Sequence, residues 1–243
     1  VKALNLPSNY YFIWLFFKLP IVIIIGFFLY PLVEKKLSKN IFIKLILLSL
    51  IFTLAFVLLL LILFNVAIYD EIRHIMFLLP LIFIISLSNL YIFNKKLFSI
   101  IGSACIIFFI FENYSLNPYQ YTWLNSFSKF YKIDKKFEVD YWGISGKNLN
   151  IKIKDHASQN KIEKSTCIYG GNFSKVFLNS EGFNCFKSYS ELDQADNRPF
   201  YVVQNVRNLK RSKPKDCKLI GNENFNYTIF NQEVRAGSAW YCD

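Results

Sequence analysis

The first 112 residues consist of long apolar stretches separated by short polar segments. A helix that crosses the hydrocarbon core of a bilayer needs roughly 20 predominantly apolar residues. The pattern therefore predicts about four transmembrane helices, at residues 10–33, 41–67, 75–93 and 97–111. The last stretch is short, but the brief connection at residues 94–96 favours a helical hairpin that returns the chain across the bilayer. A buried soluble helix is the alternative for that stretch alone.

Lys18 and Pro20 interrupt the first predicted span. One interpretation is a kinked segment whose first turns lie at the membrane interface, where a lysine can extend its ammonium group to water. The other is a functional charge inside the helical bundle. The sequence favours the first interpretation, in which the segment with Lys18 lies at the membrane interface.

After residue 112 the composition becomes polar and aromatic, which predicts an exported domain at residues 113–243. Its class is expected to be small and mixed α/β. Aromatic and β-branched runs bounded by Gly, Asn or Pro predict strands at residues 165–169, 200–206 and 225–230. A short amphipathic helix is expected to end near Tyr131. Residues 149–154 alternate at period two but fit equally well as the end of a helix that starts near Ser145.

The distribution of lysines predicts the orientation in the membrane. Short cytoplasmic loops carry an excess of Lys and Arg, and Lys35, Lys36, Lys39, Lys95 and Lys96 fall in the first and third connections between spans. The second connection, at residues 68–74, and everything after Glu112 are then outside. The expected location is the bacterial cytoplasmic (inner) membrane, with several spans and an extracytoplasmic C-terminal domain. The net charge of +11 is spread over both parts, which argues against a nucleic-acid partner.

Four of the five cysteines lie in the predicted exported domain, and Cys105 lies in the fourth span. An even number of cysteines in an oxidising compartment predicts two disulfides, with three possible connectivities. Their spacing matches no zinc signature, and free buried thiols are the alternative. The candidates are Cys167, Cys185, Cys217 and Cys242.

No glycine-rich nucleotide loop, Gly-x-Ser-x-Gly elbow or His-Glu-x-x-His motif occurs in the chain. The segment with candidate chemistry is Tyr69-Asp70-Glu71-Ile72-Arg73-His74, at the outer mouth between two spans. Its arginine has the fork geometry that binds phosphate, so the loop could hold an anionic lipid head group. The residues alone slightly favour an ordinary polar loop.

Four motifs in order carry a family resemblance. They are Leu6-Pro7 with Tyr10-Tyr11, Trp14 and Lys18-Leu19-Pro20; Tyr69-Asp-x-x-Arg73-His74 with Phe77-Leu-Leu-Pro80; Asn117-Pro-Tyr-Gln-Tyr121 with Asn125; and Phe137-Glu-x-Asp140-Tyr-Trp-Gly143. Together they resemble the C-terminal half of bacterial dolichyl-phosphate-mannose-protein mannosyltransferase-like membrane glycosyltransferases, which have the GT-C fold. The resemblance covers residues 1–145.

The resemblance implies transfer of a sugar from a polyprenyl-phosphate donor to a glycan, lipid or protein acceptor on the outer face of the membrane. It also implies that the general-base carboxylate lies upstream of Val1, so the chain is expected to be the C-terminal piece of a longer protein. Asp70 and Glu71 do not replace that carboxylate, and Glu71 stands where the family commonly has a small residue. The sequence names neither the sugar nor the acceptor.

Residue roles follow from the same resemblance. The donor phosphate is expected to contact Arg73, with His74 and Lys18 as further candidates. Docking or substrate contacts are expected from Tyr69, Asp70, Tyr119, Tyr121, Asp140, Tyr141 and Trp142. Asp140, Tyr141 and Trp142 are read first as a structural corner and second as a sugar-stacking site. No cofactor is indicated, and a divalent metal is left open.

A function from a different class is a non-catalytic, membrane-anchored binding or assembly protein whose exported domain recognises a glycan or a partner. Further spans and an acidic outer loop upstream would favour the glycosyltransferase, whereas a start codon directly before Val1 would favour the binding protein.

The orientation gives the first testable prediction. A thiol introduced by Lys36→Cys should react with a membrane-impermeant reagent only after the membrane is opened, because the lysine-rich connections face the cytoplasm. Labelling in intact cells checks this, and the Lys36→Cys change is made in a protein that already carries Cys105→Ala. Labelling of position 36 from outside would reverse the orientation.

Overall fold

The protein is described by a computed structural model over residues 9–38, 40–64, 66, 72–131, 133, 137, 140, 142–170, 172–194, 198–205, 214–227 and 232–243. The chain divides into two compact units. One comprises Val1–Asn113 with Trp123–Ser128, and the other Tyr114–Thr122 with Lys129–Asp243. Residues 123–128 therefore belong with the apolar unit, although the sequence pattern assigned them to the exported domain.

The described part of the apolar unit is helical. Its α-helices are α1 (Tyr10–Lys18), α2 (Ile21–Phe28), α3 (Tyr30–Leu37), α4 (Ile41–Leu63), α5 (Leu78–Phe93) and α6 (Lys95–Ser115). A core of residues from α1, α2, α4 and α5 holds it together, with Leu15, Ile23, Leu54 and Ile82 among its buried members.

The expectation of four spans is met only in part. Within the described residues, α4 with 23 residues and α6 with 21 are long and apolar enough to cross a membrane, and α1 with α2 would make a third span if the bent pair counts as one. Helix α5 is apolar but has only 16 residues, because the chain from Arg73 to Ile75 forms a 3-10 turn in place of the expected helical start. The chain thus has the character of a membrane protein, with two to three candidate spans.

The first predicted span is broken where Lys18 and Pro20 interrupt it. Helices α1 and α2 meet there at 115°. Proline has no N–H to donate, so the Phe16 carbonyl lacks its helical partner, and Ile23 N–H donates to Pro20 at 2.9 Å, not to the Leu19 carbonyl. The break exposes polar backbone in an apolar unit.

Asn125 satisfies that backbone. Its side-chain amide donates to the carbonyls of Phe16 and Leu19, the latter at 2.9 Å, and its own N–H donates to the Phe17 carbonyl at 2.8 Å. Asn125 is 2% exposed. Because an unpaired carbonyl in an apolar environment is costly, this residue, more than a hundred positions away in the sequence, stabilises the bend.

Helix α2 packs closely on α5 at Gly26. A Cβ built at Gly26 would lie 2.7 Å from the Ser86 carbonyl oxygen, so only glycine allows the two backbones to approach this far. The Asn89 side chain donates to the Gly26 carbonyl at 3.1 Å. Small residues and interhelical hydrogen bonds are the usual means of joining helices where hydrophobic burial gives no advantage.

The two lysine-bearing connections lie at the same end of the apolar unit. Lys36 Nζ donates to the carbonyl of Phe93 at 2.7 Å, two residues before Lys95. Asn94 alone separates α5 from α6 and caps α6, with Leu97 N–H donating to its side chain at 3.1 Å. The connection at residues 94–96 is therefore as short as the sequence predicted.

The other unit contains a five-stranded mixed sheet over the described residues. Its strands are β1 (Cys167–Gly170), β2 (Phe186–Ser188), β3 (Phe200–Asn205), β4 (Cys217–Tyr227) and β5 (Gln232–Cys242), in the order β2-β1-β3-β5-β4. Strand β1 is parallel to β2 and β3, whereas β5 is antiparallel to β3 and β4. The mixed α/β class is confirmed.

Successive residues of β3 point to opposite faces of the sheet, and both faces are covered. Tyr201 and Val203 pack with helices α7 (Ser145–Gln159) and α8 (Asn172–Ser180). Phe200 and Val202 join a second apolar cluster with Trp240. Helix α7 approaches the sheet at Gly237, where a Cβ would lie 2.7 Å from a Leu149 methyl carbon.

The structure decides between the sequence-based alternatives in this unit. Residues 149–154 belong to α7, so the helical interpretation is correct. The helix expected to end near Tyr131 is wrong, because the described residues there form 3-10 turns at Gln120–Thr122 and Ser126–Phe130. The strands predicted at 165–169 and 200–206 correspond to β1 and β3. Strand β4 contains the start of the 225–230 prediction and begins eight residues earlier, and residues 228–230 lie outside the described residues.

Two disulfides join the four cysteines of this unit. Cys167 pairs with Cys185 and Cys217 with Cys242, closing segments of 18 and 25 residues. In the chain-entropy account, a disulfide that closes a loop of this size stabilises the folded state by about 3 kcal/mol. Cys105 is the free cysteine.

The bend at Pro20 leads to a stability prediction. Asn125→Leu keeps the side-chain size but removes both amide donations, and an unsatisfied buried carbonyl costs about 1–3 kcal/mol. We expect a clear fall in the melting temperature of the purified protein in detergent, followed by tryptophan fluorescence. Asn160→Leu is the matched control, because that exposed amide donates only to the His156 carbonyl one turn earlier. Equal, small effects of the two changes would contradict the role of Asn125.

Candidate functional site

Arg73 and His74 open the 3-10 turn that precedes α5, and both side chains are exposed. The next residue, Ile75, is 1% exposed and packs with Tyr11 and Leu78 in the apolar core. The buried isoleucine fixes the turn while the two basic side chains remain accessible. Tyr69 and Asp70, which the sequence placed beside them, and Glu71 lie outside the described residues.

Tyr11 anchors the neighbouring end of α4. Its hydroxyl donates to the carbonyls of Val66 at 2.8 Å and Leu61 at 3.2 Å. The last carbonyls of a helix have no partner within it, so the tyrosine stabilises the point where α4 ends. This contact gives the Tyr10-Tyr11 part of the sequence motif a structural role.

Lys18 lies in the last turn of α1, half-buried. Its ammonium nitrogen is 5.8 Å from the centroid of the Trp14 ring, a cation–π distance. A cation also interacts favourably with the carboxyl end of a helix. These contacts give Lys18 a structural explanation, and its side chain is less accessible to a ligand than those of Arg73 and His74.

Asp140 is a buried carboxylate at the start of α7. It is 0% exposed. Oδ1 accepts from the Tyr121 hydroxyl and from Ile144 N–H at 2.9 Å, and Oδ2 accepts from Ser145 N–H at 3.1 Å and from the Ser145 hydroxyl. A carboxylate at a helix amino terminus is favourably placed in the field of the helix dipole.

Burial raises the pKa of the Asp140 carboxyl, and the hydrogen bonds from Ser145, Tyr121 and the backbone oppose that shift. The residue joins the segment containing Tyr121 to the first turn of α7. With every oxygen occupied and no exposed surface, Asp140 fits the structural corner and not a sugar-stacking contact.

Tyr119 is also buried, at 2% exposure. Its ring stacks on Phe225 with centroids 5.0 Å apart, and its hydroxyl donates to Glu223 at 3.4 Å. Burial, followed by the Glu223 charge, raises the pKa of Tyr119. Tyr119 therefore attaches its loop to β4 and is not open to a substrate.

The sequence grouped Tyr141 and Trp142 with Asp140. Trp142 is 47% exposed, and Tyr141 lies outside the described residues. The structure thus brings Tyr121 and Asp140 together in one hydrogen-bonded cluster and leaves Trp142 on the surface. Arg73, His74 and Lys18 belong to the apolar unit, whereas Tyr119, Tyr121, Asp140 and Trp142 belong to the other.

Sequence reasoning missed two acidic residues. Glu112 is 1% exposed near the end of α6, and a carboxylate that interrupts an otherwise apolar helix is a signal that points to it. Glu223 accepts from the Asn148 side chain at 2.7 Å and pairs with Lys152 at 3.3 Å. The residues next to Glu223 in the sequence give no indication of these contacts. No group of three or more metal-ligating side chains occurs among the described residues.

Comparison with known proteins adds no relative. The chain matches no protein-family model, no curated protein and no solved structure. The site is therefore argued from the residues themselves.

Asp140 gives a prediction that separates a structural role from a substrate contact. Asp140→Asn leaves one carbonyl oxygen where two oxygens now accept four donors, and its amide N–H₂ faces a fixed backbone N–H. We expect a loss of about 1–3 kcal/mol in unfolding free energy, measured by denaturant titration. Tyr121→Phe removes one donor and should cost less. A normal unfolding curve with impaired binding of a sugar ligand would instead place Asp140 at a substrate site.

Proposed function

We propose that the chain is the C-terminal portion of a membrane glycosyltransferase that transfers a sugar from a polyprenyl-phosphate donor to an acceptor on the outer face of the membrane. The observation that carries the proposal is the exposed Arg73–His74 pair on a turn fixed by buried Ile75, at the start of apolar α5. The same residues belong to the second of the four motifs that resemble the GT-C enzymes.

The geometry of the turn suits an anionic ligand that approaches along a membrane. A phosphate with a long apolar tail must keep its charge at the surface while its chain enters hydrocarbon. Arg73 can present a guanidinium fork to phosphate oxygens, and His74 is a second donor in the same turn. The first residue of α5 follows four positions after His74, so charge and apolar surface are adjacent.

In the proposed reaction, an acceptor oxygen forms a bond to the anomeric carbon while the bond from that carbon to the phosphate oxygen breaks. The acceptor proton passes to a carboxylate base expected upstream of this segment, and the polyprenyl phosphate leaves with additional negative charge. A positioned guanidinium stabilises that developing charge more strongly in a site of low dielectric constant than in water. Arg73 is assigned this role.

The exposure of Arg73 and His74 separates them from the other candidate residues. Asp140, Tyr119 and Tyr121 are accounted for by their contacts within the sheet-containing unit, and Lys18 by Trp14. Arg73 and His74 are exposed basic residues on the turn that Ile75 fixes, at the start of apolar α5. The orientation with this turn outside rests on the lysine asymmetry of the connections.

The proposal predicts a specific loss of catalysis at Arg73. In the full-length enzyme, Arg73→Ala should cost on the order of 2–4 kcal/mol of transition-state stabilisation, the scale of one oxyanion donor. Arg73→Lys keeps the charge without the fork and should fall between. The measurement is sugar transfer from a polyprenyl-phosphate donor by purified variants, normalised to folded protein.

Lys95→Ala is the matched control, because Lys95 is also an exposed cation at the start of an apolar helix. It should retain normal turnover, since it lies at the predicted cytoplasmic end. Turnover close to wild type for Arg73→Ala would remove Arg73 from the site. Absence of any transfer by the intact protein, together with specific glycan or protein binding, would favour the binding or assembly function.

A further inference from the structure

The sheet-containing unit has a small cleft where the end of α7 meets the turn that follows α8. Its volume is about 280 Å³, which is the liquid volume of roughly nine water molecules. Ala157, Ile162 and Phe183 form an apolar floor. Sites for small molecules combine apolar surface with a few polar groups that converge on the ligand. The volume suits one sugar-sized unit and exceeds what a single inorganic ion fills.

The polar part of the lining is mostly cationic, and we call this space the basic cleft. Lys154, Lys161 and Lys164 face it, together with the carboxylate of Glu181. The lining therefore carries two more positive charges than negative ones. A concave surface with an excess of one charge concentrates ions of the opposite sign. The charge balance indicates an anionic ligand.

Two of the three ammonium groups are held in place by residue 181. Lys154 Nζ lies 2.7 Å from Glu181 Oε2, and Lys164 Nζ donates to the Glu181 carbonyl at 2.6 Å. A Cβ built on Gly182, whose φ is +90°, would lie 3.2 Å from Lys164 Cδ, so glycine leaves room for the lysine to cross the turn. Because both cations are already ordered, a ligand that binds them loses little side-chain entropy.

Lys161 stands at the mouth of the basic cleft in a backbone conformation that favours glycine. Its φ is +52°. It follows the last turn of α7, where Ile162 N–H donates to the Ala157 carbonyl at 2.9 Å, the hydrogen bond of a helix end at which glycine is the usual left-handed residue. Lys161 is exposed, and among the described residues it takes part in no ion pair. A residue less suited to the turn than glycine thus adds a cation to the cleft.

The surface around the basic cleft is polar, which separates one class of ligand from the others. Over residues 154–165 and 179–187, all of which the structure describes, no large apolar side chain is exposed. A membrane surface or a further helix would need apolar contacts here. Nucleic acid would need a longer basic track, and one acidic side chain from a partner protein would leave most of the volume empty.

We propose that the basic cleft binds a sugar unit that carries a phosphate group. The phosphate contacts the ammonium groups, whose excess of two charges matches that of a phosphomonoester near neutral pH. A sugar hydroxyl donates to the Glu181 carboxylate, and the C–H face of the ring rests on the apolar floor. An uncharged sugar lacks the first contact, and inorganic phosphate lacks the other two. The inference does not rest on the proposed sugar transfer, because binding requires no reaction.

Calorimetric titration of the intact protein in detergent tests the site. Glucose 6-phosphate is the probe, and glucose, inorganic phosphate and glucuronic acid are compared with it. All titrations use the same low ionic strength, because salt screens exposed charges. We expect glucose 6-phosphate to bind about tenfold more tightly than each of the other three, which corresponds to about 1.4 kcal/mol.

Lys161→Gly is the sharpest variant, because it removes a cation and places glycine where the backbone favours it. The melting temperature should stay close to that of the wild type, while the affinity for glucose 6-phosphate falls about tenfold. Lys164→Gln is a second variant, which removes another of the ammonium groups. Lys175→Ala is the matched control and should bind normally, because Lys175 is exposed on α8 and does not line the cleft.

Each outcome has a definite meaning. Unchanged affinity in folded Lys161→Gly and Lys164→Gln overturns the site. Equally tight binding of inorganic phosphate or glucuronic acid overturns the ligand class, and so does equal competition by a polyglutamate peptide, which assigns the cleft to an acidic protein segment. Binding of glucose 6-phosphate by a protein that transfers no sugar retains the site and removes the proposed function. Sugar transfer by a protein that binds no glucose 6-phosphate does the reverse.

Discussion

The bend between α1 and α2 depends on the pairing of backbone carbonyls that a proline leaves without helical partners. In water such carbonyls would be solvated, but in an apolar unit each needs a donor from the protein. Asn125 provides that donor for Phe16, Phe17 and Leu19 through its side chain and its backbone. One polar residue thereby makes a sharp turn compatible with an apolar environment.

Much of the apolar unit follows from that turn. By redirecting the chain, it sets α2 against α5, where Gly26 permits close contact with the Ser86 carbonyl. Pro20 also lines an apolar cleft of about 670 Å³ between α2, α5 and α6, beside Val22 and Ile23, so the residue that breaks the helix forms part of the wall of that cleft.

The sequence predicted features that depend on local composition. Helix α4 follows from the length of its apolar run, and the break between α5 and α6 follows from the short polar segment at residues 94–96. Strand β5 was missed, because Ala236, Gly237, Ser238 and Ala239 have low strand propensity. Gly237 is small for a tertiary reason, since α7 lies directly over it. Residues 149–154 matched both periodicities, and packing of Leu149 and Ile153 against the sheet selected the helix.

The candidate site was predictable only in part. Arg73 and His74 were assigned to the donor phosphate from the family resemblance and from their position next to an apolar stretch, and the structure leaves both side chains exposed. Asp140 has no local signal that distinguishes a ligand from a helix-capping carboxylate, because its partners Tyr121 and Ser145 become neighbours only on folding. The pairing of cysteines was likewise set by strand order, which spacing alone does not give.

The position of β5 has a consequence for synthesis. Although it is the last strand along the chain, it lies between β3 and β4. Until Gln232–Cys242 is synthesised, β3 has an unpaired edge, β4 lacks its neighbour and Cys217 has no partner. Cys167 and Cys185 are synthesised earlier, so both members of their pair are present before Cys217 has its partner. A pause in synthesis before β5 would leave an open sheet edge beside an unpaired thiol, a condition that favours aggregation and wrong pairing.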